Sequence, residues 1–421
     1  MESYPYKNYK IVDADQLNAD LTSVADAIRI KGKTTASLDF PDGFVGAIDN
    51  IKTGDDAPVA EKDVNFYDYD GTLLHSYTVA EAQALTELPE LPERDGLICQ
   101  GWNYDLETIK EYNRAVNVGA TYTTDDGTTR IYIHLEDGRT SPMLGVCPNG
   151  TVTVDWGDGT EPDVLTGTST STVKWTPNHE YAAPGDYVIQ LTVSGKIDLY
   201  GEYNSSCLLR YASTTDSRNQ IYQSALQKVE IGQNVERVND YTFCNCFNLK
   251  SISIPKIGTT IKSYVFKNCY SLPCIIFPTS STTHTISDYV AQNCYSLRTV
   301  IMPNVKTNIK PNAFENCCSL SSVTIPKGTY QINSYAFANC ASLSSITIPG
   351  SVTYFGSGAF SKDYGMRYYD FTDFTNVHNL STTSAFENNS EDFEIRVPAA
   401  LYDEWIAATN WVKYADKIVA V

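Results

Sequence analysis

Two aspartates near the beginning of the chain stand two residues apart. Asp68 follows an apolar, strand-like stretch and Asp70 comes shortly after it, and carboxylates can act as nucleophiles or as acids and bases in phosphoryl transfer. That chemistry also requires a magnesium-binding acidic pair, a lysine and a parallel α/β sheet that brings these groups together. The residues that follow show no run of alternating strands and helices, so the sequence predicts no phosphoryl transfer here.

The string DYDGT at 68–72 matches the nucleophile motif of haloacid dehalogenase-type phosphotransferases, but the other parts that this resemblance implies are missing. The string is not a calcium loop either, because Val79 stands where the last ligand position of an EF-hand needs a glutamate. The hydrolase patterns G-x-S-x-G and H-E-x-x-H do not occur. The histidines, which do not cluster in sequence, are His75, His134, His179, His284 and His378. We therefore expect no enzyme, no catalytic residue and no cofactor.

Five of the 11 cysteines recur at one position of a repeat described below. Neither Cys244 with Cys246 nor Cys317 with Cys318 has the short pair spacing, with partners elsewhere, that a zinc site uses. The cysteine number is odd, and a stack of reduced, buried thiols, formed in a reducing cytosol, is the simpler interpretation. No metal site is therefore predicted.

The charge of the chain is concentrated in its first half. Residues 1–200 hold 33 acidic and 14 basic side chains, whereas residues 201–421 hold 17 of each, which gives the net charge of −19. Neither half offers the basic footprint that phosphate backbones attract, so nucleic acid is not an expected partner. No apolar run approaches the roughly 20 residues of a membrane helix, and the first residues lack the organisation of a secretory signal. We expect a soluble protein without a membrane partner.

The second half of the chain repeats itself. The aligned segments are 241–255, 264–278, 289–303, 312–326 and 335–349, and their shared cysteines lie 23, 25, 23 and 23 residues apart. The pattern L-x-x-I-x-I-P turns apolar side chains inward on a short strand, and stacking of the rungs buries that face. This pattern resembles the BspA-like leucine-rich repeats of bacterial surface and bacteriophage proteins over residues 220–400. We expect about eight rungs, with the asparagines that precede the cysteines bonding loop backbone.

Function in such a solenoid is expected in the columns that vary while the core columns repeat. Aromatic side chains form two columns, and outward strand positions place two isoleucines on adjacent rungs, which predicts an exposed contact patch. Tyrosine offers a rigid apolar face with a polar tip that suits sugar or protein surfaces. Packing on neighbouring turns is the structural alternative for the same tyrosines. The candidate ligand-binding residues are Tyr264, Tyr270, Tyr289, Tyr295, Tyr335, Ile276 and Ile301.

Two β modules are expected before the repeat. Residues 127–200, with W-G-D-G at 156–159 and P-G-D-Y at 184–187, resemble a PKD domain, which is an immunoglobulin-like sandwich. Residues 59–126, with a D-G hairpin turn and a G-x-x-x-x-G-W strand, are similar to the β-grasp-like B repeats of internalins. The acidic residues that we interpret as turn and strand-end residues, and not as calcium ligands, are Asp155, Asp158 and Asp163.

Helices are expected at both ends of the chain. Residues 1–58 contain an amphipathic helix and a short hairpin, and 11–51 resembles a piece found on tail-associated proteins of phages and prophages that infect Gram-positive gut bacteria. This segment is expected to dock onto a larger assembly or to form a trimer. The alternative is that its helix belongs to the first globular domain. The expected hinge lies at 52–63. Residues 400–421 carry apolar side chains at helical intervals and are expected to cap the solenoid at 201–399.

The predicted fold is multidomain and mainly β, with a short helical N-terminal segment, a β-grasp-like module, a PKD-like sandwich and a leucine-rich repeat solenoid with a helical cap. The preferred function is a non-enzymatic bacteriophage tail or receptor-binding protein. Residues 1–55 would attach it to other virion tail or baseplate proteins, and the solenoid would meet a host cell-surface protein or glycan. Such a virion protein assembles in the host cytoplasm, leaves by lysis, and is expected to be a homo-oligomer, since fibres of this kind are often trimers.

Two alternatives to the phage hypothesis remain open. The first is a bacterial adhesin of BspA type, which should carry an export signal and a wall anchor. The second and more remote alternative is an accessory protein of a carbohydrate-active enzyme. A polysaccharide-degrading enzyme itself would require a carboxylate pair in a cleft, which the sequence does not locate.

Overall fold

The computed structural model describes residues 63–112, 114–136, 140–201, 207–210, 222–279 and 283–421. The chain divides into two compact units, residues 1–61 and 62–421, and the description below concerns the second. The predicted N-terminal segment at 1–58 lies outside the described residues, as does the hinge at 52–63 except for its last residue.

The described part of the chain is built mainly from short strands, which confirms the predicted fold class. The strands are β1 (Val64–Tyr67), β2 (Leu73–Tyr77), β3 (Leu97–Trp102), β4 (Val116–Thr124), β5 (Thr129–Leu135), β6 (Met143–Asp155), β7 (Asp163–Thr168), β8 (Lys174–Trp175), β9 (Gly185–Leu199), β10 (Leu209–Arg210), β11 (Leu226–Glu230), β12 (Val235–Val238), β13 (Ser251–Ser253), β14 (Thr260–Ile261), β15 (Cys274–Ile276), β16 (Thr283–Ile286), β17 (Thr299–Ile301), β18 (Lys306–Ile309), β19 (Ser322–Val323), β20 (Thr329–Ile332), β21 (Ser345–Thr347), β22 (Tyr354–Phe355), β23 (Tyr368–Asp370), β24 (Glu394–Val397) and β25 (Ile418–Ala420). The α-helices are α1 (Val79–Ala84), α2 (Leu106–Glu111) and α3 (Tyr402–Ala407), and short 3-10 turns cover Ala399–Leu401 and Trp411–Tyr414.

Residues 63–124, the first module, form a mixed sheet in the order β2-β1-β4-β3. The central strands β1 and β4 are parallel, while the outer strands pair antiparallel with them. The predicted D-G hairpin turn joins β1 to β2, and Gly71 adopts a φ of 89° that favours glycine. Phe66 and Trp102 meet edge to face in the core with ring centroids 4.8 Å apart, and the indole donates to the carbonyl of Pro89.

Strands β5 to β10 do not form a separate body, because they continue into the first rungs of the solenoid. Strand β5 pairs antiparallel with both β9 and β11, and β9 ends in a parallel pairing with β12. One hydrophobic core accordingly runs without interruption from Ile131 to Ile418. The PKD resemblance of residues 127–200 stays a prediction.

The solenoid is built from parallel strands on two faces, with about eight turns as predicted. The first face, here called the strand face, is formed by β11, β13, β15, β17, β19, β21, β23 and β24, and strands such as β15, β17 and β19 pair in register. The second face is formed by β12, β14, β16, β18, β20 and β22. The inward leucines, isoleucines and valines of both faces fill the common core.

A ladder of asparagine side chains runs along the turns between the two faces. Asn268 donates to Asn245, Asn293 to Asn268, Asn316 to Asn293 and Asn339 to Asn316, all side chain to side chain at 2.5–2.9 Å. Each of these asparagines has a φ between 59° and 64°, a left-handed conformation that asparagine tolerates better than most residues. The prediction that they bond loop backbone is wrong. The left-handed turn directs the side-chain amide of each asparagine along the stack, so that it bonds to the asparagine of the neighbouring rung.

A column of cysteines lies one residue further along each turn and is buried completely. The five thiols of the repeat are free, as predicted, and each of the last four lies close to a carbonyl of an earlier turn. The sulfur of Cys294 donates to the carbonyl of Phe266 at 2.9 Å, and that of Cys317 donates to Ala291 at 3.3 Å. Burial raises the pKa of Cys294 to about 12, so this thiol stays protonated and packs as a small apolar group.

The cysteine column ends at Asp363, which occupies the next rung. Its carboxyl group is fully buried and accepts a hydrogen bond from the amide of Cys340 at 2.8 Å. Burial raises the pKa of Asp363 well above its usual range. The folded chain therefore holds a proton here that the unfolded chain has already lost above about pH 4.

We expect this carboxyl group to make the fold less stable as the pH rises. The stabilising contribution of a raised pKa is present below the unfolded value and is lost through the folded one, at about 1.4 kcal/mol per pKa unit. Asp363→Asn should therefore unfold at higher urea than the wild type at pH 8, with a smaller difference at pH 4.5. The exposed Asp392→Asn is the matched control. An Asp363→Asn variant that is equally destabilised at both pH values would contradict this assignment.

The C-terminal cap contains a shorter α-helix than predicted. Helix α3 spans Tyr402–Ala407, and the chain then turns through Trp411 and ends in β25, which pairs parallel with β24. Trp405 and Trp411 are buried against each other with ring centroids 4.7 Å apart. The apolar spacing predicted one helix because both tryptophans face the core, but the Ala408–Asn410 turn breaks the helical path between them.

Candidate functional site

The first module covers a large part of the strand face. Strand β4 lies across β13, β15, β17 and β19, and every residue of β4 is buried. Ile276 is 7% exposed and Ile301 is fully buried, in a small cluster that Tyr67 and Tyr69 of the module complete. The prediction that the two isoleucines form an exposed contact patch is wrong, because the outward side of their strands is the docking site of the module.

Close approach of the backbones makes this docking tight. A Cβ atom at Gly119 of β4 would lie 2.7 Å from Cδ1 of Ile276 and 2.9 Å from Cδ1 of Ile301. The absence of a side chain at Gly119 therefore lets the two isoleucines fill the space beneath β4. The contact between Gly119 and the two isoleucines is part of the folded core and offers no free surface to a ligand.

Polar contacts continue the interface on both sides of the isoleucines. In β4, the backbone amide of Asn117 donates to the hydroxyl of Thr324 at 2.8 Å, and the backbone carbonyl of Tyr122 accepts from the hydroxyl of Ser253 at 3.1 Å. Further along, the Tyr112 hydroxyl donates to Asn304 at 2.9 Å. Burial raises the pKa of Tyr112 to about 12, so its hydroxyl remains a donor at neutral pH.

The aspartate that could have served as a nucleophile is held inside this interface. Asp68 is fully buried, and its carboxylate accepts hydrogen bonds from the guanidinium of Arg94 and from the backbone of Tyr69 at 2.8 Å. Asp70 instead closes the hairpin turn by accepting from the amide of Thr72. The side chain of Asp68 is thus fully buried beside Arg94, and neither of its oxygens is exposed to solvent.

The acidic residues of the PKD-like stretch also have local partners. Asp155 and Asp158 close turns by accepting from backbone amides, and Asp163 accepts from the indole of Trp156 at 2.9 Å. Asp158 also meets His179 at 2.9 Å, and the histidine ring stacks on Trp156. Within the described residues no three acidic, histidine or cysteine side chains are placed to hold a metal ion.

One aromatic column lies where the chain enters each turn. The rings of Tyr241, Tyr264 and Tyr289 stack with centroids 4.6 and 4.7 Å apart and are half-buried. The amino group of Lys267 lies 5.6 Å from the Tyr264 ring and 5.5 Å from the Tyr289 ring. All three tyrosines are left-handed, with φ between 55° and 63°, a conformation that is strained for a bulky side chain. Asn312 takes the same position on the next rung, and Tyr335 follows alone.

The second aromatic column is more exposed, and we call it the outer strip: Phe247, Tyr270 and Tyr295. Its rings stack on consecutive rungs with centroids 5.0 Å apart in both steps. Tyr270 is 37% exposed and Tyr295 is 45% exposed, so each ring is packed on its neighbours and is still partly exposed to solvent. The strip ends at Cys318, whose small side chain cannot continue the stack. The rings therefore pack on neighbouring turns, as the structural alternative predicts, and two of them remain accessible, while their role in ligand binding stays a prediction.

Tyr335 differs from the other candidate tyrosines. It is 43% exposed, and its ring lies against Gly358 of the next rung, where a Cβ atom would come within 2.5 Å of it. Gly358 itself has a φ of 63°. Tyr335 is therefore packed on backbone and belongs to no aromatic stack.

Beyond β19 the strand face carries polar side chains that are half-buried. The outward residues of the last rungs are Ser345, Thr347, Tyr368, Asp370, Glu394 and Arg396. Arg396 lies over the ring of Tyr368 at 3.8 Å and pairs with Glu394 at 2.9 Å. The repeat pattern does not single out these residues, since outward serines and threonines on short strands are ordinary in a repeat.

Helix lengths and comparisons with known proteins bear on the class of protein. None of the helices in the described part of the chain is both long enough and apolar enough to cross a membrane. Residues 215–329 and 307–402 match the model of the BspA type leucine rich repeat region, in six copies. The prediction of BspA-like repeats is therefore confirmed, and such a region suggests an adhesion or binding role. A search of curated proteins finds no match.

Similar solved structures are also leucine-rich repeat proteins. One from T. pallidum is 30% identical, with 32% of this chain and 62% of that chain covered and a TM-score of 0.28. One from Bacteroides ovatus is 20% identical, with coverage of 41% and 55% and a TM-score of 0.27. A leucine rich cell surface protein from Faecalibacterium prausnitzii is 21% identical, with coverage of 42% and 68% and a TM-score of 0.22. The chain thus spans less than two thirds of the first of these proteins.

Proposed function

We propose that this chain is a non-enzymatic attachment protein of a bacteriophage tail, which binds a host cell surface through the outer strip. The observation that carries the proposal is the stack of three aromatic rings on consecutive rungs, two of which are substantially exposed. Rigid aromatic rings suit recognition because little side-chain entropy is lost when they bind. Their apolar faces and polar tips fit a glycan or a protein surface.

The geometry of the solenoid favours this surface over the strand face for a macromolecular partner. The first module occupies the strand face from β13 to β19, so a large partner meets the turns before it meets the strands. The rungs hold the outer strip at a fixed spacing, since the asparagine and cysteine columns lie in the same turns. A pre-organised row of rings avoids part of the ordering cost of binding.

The phage part of the proposal rests on the resemblance of residues 11–51 to tail-associated proteins. Residues 1–55 attach the chain to another tail or baseplate protein, and a homo-oligomer, such as a trimer, multiplies weak surface contacts into firm adsorption. The BspA-type repeat supports a binding role for the other end of the chain.

Replacing Tyr270 and Tyr295 together by alanine should weaken binding to host cells at least tenfold, or about 1.4 kcal/mol or more. The stability of the fold should fall by only about 1 kcal/mol, because exposed ring stacks contribute little more than that. Binding of fluorescently labelled full chain to a panel of Gram-positive gut bacteria measures the first effect, and thermal unfolding measures the second.

The control is Tyr364→Ala, since Tyr364 is 59% exposed and lies in the same turn column without a ring partner among the described residues. Equal cell binding by the double variant and by this control would contradict the assignment of the outer strip. The virion part has its own test, in which antibodies against the chain label tails in electron micrographs of induced phage. Labelling of the bacterial surface without labelling of tails would instead favour an adhesin.

A further inference from the structure

A cavity of about 140 Å³ opens where the edge of the first module meets the uncovered part of the strand face. The module contributes Asn65 and Arg114 to its walls, and β19, β21 and the residues beside them contribute the hydroxyl groups of Ser322, Thr324, Ser345 and Thr347. We propose that this cavity binds one neutral sugar ring of hexose size. The inference rests on the proposed binding function and adds a second site, on another face than the outer strip.

The guanidinium of Arg114 is the strongest sign of a missing ligand. Its side chain is only 11% exposed and forms an ion pair with Asp373. Its Nη1 makes that ion pair, whereas Nη2 is buried and has no hydrogen-bond partner among the described residues. Buried donors of this kind are normally satisfied, and leaving one unbonded costs about 1–3 kcal/mol. A ligand with oxygen acceptors in the cavity would remove that cost.

The hydroxyl groups around Arg114 match a ligand that both donates and accepts. Asn117 of the first module already donates to the oxygens of Ser322 and Thr324 at 2.9 and 2.8 Å, so these hydroxyls turn their protons elsewhere. Ser345 lies on the neighbouring rung and lines the same cavity. A sugar ring carries several hydroxyls that can accept from the arginine and the serines and donate to carbonyl or carboxylate oxygens.

The charges around the cavity favour a neutral ligand over an anion. Arg114 is the one basic residue among the described residues that line the cavity, and Asp373 already pairs with it. An anion would leave this site with excess negative charge in a partly desolvated place, where like charges repel strongly. The volume is below the roughly 300–1,000 Å³ of pockets for drug-sized ligands, which limits the occupant to a single ring.

A longer glycan has a path out of the cavity along the strand face. Ser345 pairs in register with Tyr368, and Tyr368 with Glu394, so the next rungs continue the surface with an aromatic ring and charged groups. Sugar rings stack on aromatic side chains and bond to such polar groups. The cavity therefore holds one terminal or branching residue of a chain that continues over β23 and β24.

The test is a titration of the full chain with N-acetylglucosamine, glucose and glucuronic acid, followed by ligand-observed NMR and calorimetry. At least one neutral sugar should bind, and glucuronic acid should bind at least tenfold more weakly than that sugar. Arg114→Gln should weaken sugar binding at least tenfold. Thr347→Val, which keeps the side-chain shape and lies on the solenoid alone, should weaken it about threefold, or about 0.6 kcal/mol.

Thermal unfolding of both variants separates loss of the site from loss of the fold, because Thr347→Val should unfold like the wild type. The Tyr270→Ala/Tyr295→Ala chain should bind the sugar as the wild type does, so the two proposals fail separately. The inference would be overturned if neither N-acetylglucosamine nor glucose binds, or if glucuronic acid binds more tightly than both. It would also be overturned by a sugar affinity that neither Arg114→Gln nor Thr347→Val changes.

Discussion

Ile301→Asp should lower the free energy of unfolding by about 3–5 kcal/mol and release the first module from the solenoid. Ile301 is fully buried beneath β4, beside Ile276 and close to the backbone of Gly119. An aspartate there would have to keep an unpaired charge out of water or take up a proton. Undocking relieves both costs, because it returns the carboxylate to solvent while the solenoid core remains intact.

Hydrogen exchange is the measurement that distinguishes undocking from general unfolding. Amides of β4, all buried in the wild type, should exchange much faster in Ile301→Asp, while those of the inner rungs should keep their protection. The matched control is Ile257→Asp, since Ile257 is 72% exposed and its replacement should change stability by less than about 0.5 kcal/mol. If both variants unfold alike, the module is not held by the isoleucine cluster.

Trp405→Ala should cost about 3–5 kcal/mol, the usual range for truncating a fully buried tryptophan. The indole is completely buried at the end of the solenoid and touches Phe371, Phe374 and Trp411 with ring centroids 4.7–5.5 Å away. Its loss opens the last described rung to water. Urea unfolding should show the loss as a lower midpoint for the whole solenoid.

Trp405→Phe is the control, because it keeps an aromatic ring at this position while it removes the larger indole. The indole nitrogen has no hydrogen-bond partner among the described residues, so phenylalanine removes a buried unsatisfied donor while keeping a ring. We expect it to cost well under half as much as the alanine variant. An equally large loss would mean that the cap depends on the full width of the indole and not on a closed aromatic cluster.

The repeat could be predicted from the sequence because neighbouring rungs are separated by a nearly constant 23–25 residues along the chain. Cys294 and Leu297 recur with the same spacing as their counterparts in the other rungs, so one periodic pattern specifies strand, turn and core together. The asparagine column was visible for the same reason. Its bonding was not, since the direction of an amide depends on the left-handed backbone, which a residue pattern does not reveal.

The covered strand face could not be predicted from the same pattern. Alternation shows that Ile276 and Ile301 leave the core of their own rungs, but it does not show what lies on the other side. The covering strand is β4, which is mostly polar or small in sequence and nevertheless entirely buried. Gly119 within β4 is the one local sign of a close backbone approach.

The candidate sites divide in the same way. The outer strip could be identified because Tyr270 and Tyr295 share a repeat position, and periodicity then places them on adjacent rungs. Arg114 belongs to no repeat and stands between α2 and β4, so nothing near it in sequence indicates Asp373 or the serines it faces. Sites made by two modules that fold onto each other depend on contacts of long sequence separation, which single-sequence patterns do not contain.

The docked module also limits how this chain can change its number of repeats. Strand β4 is bonded to Ser253 at one end and to Thr324 at the other, so its length fixes the number of rungs between these two residues. An extra repeat inserted between those points would carry one set of bonding partners away from β4. Gains and losses of whole repeats are therefore compatible with docking only between β19 and the cap, where the polar strand face would lengthen or shorten with them.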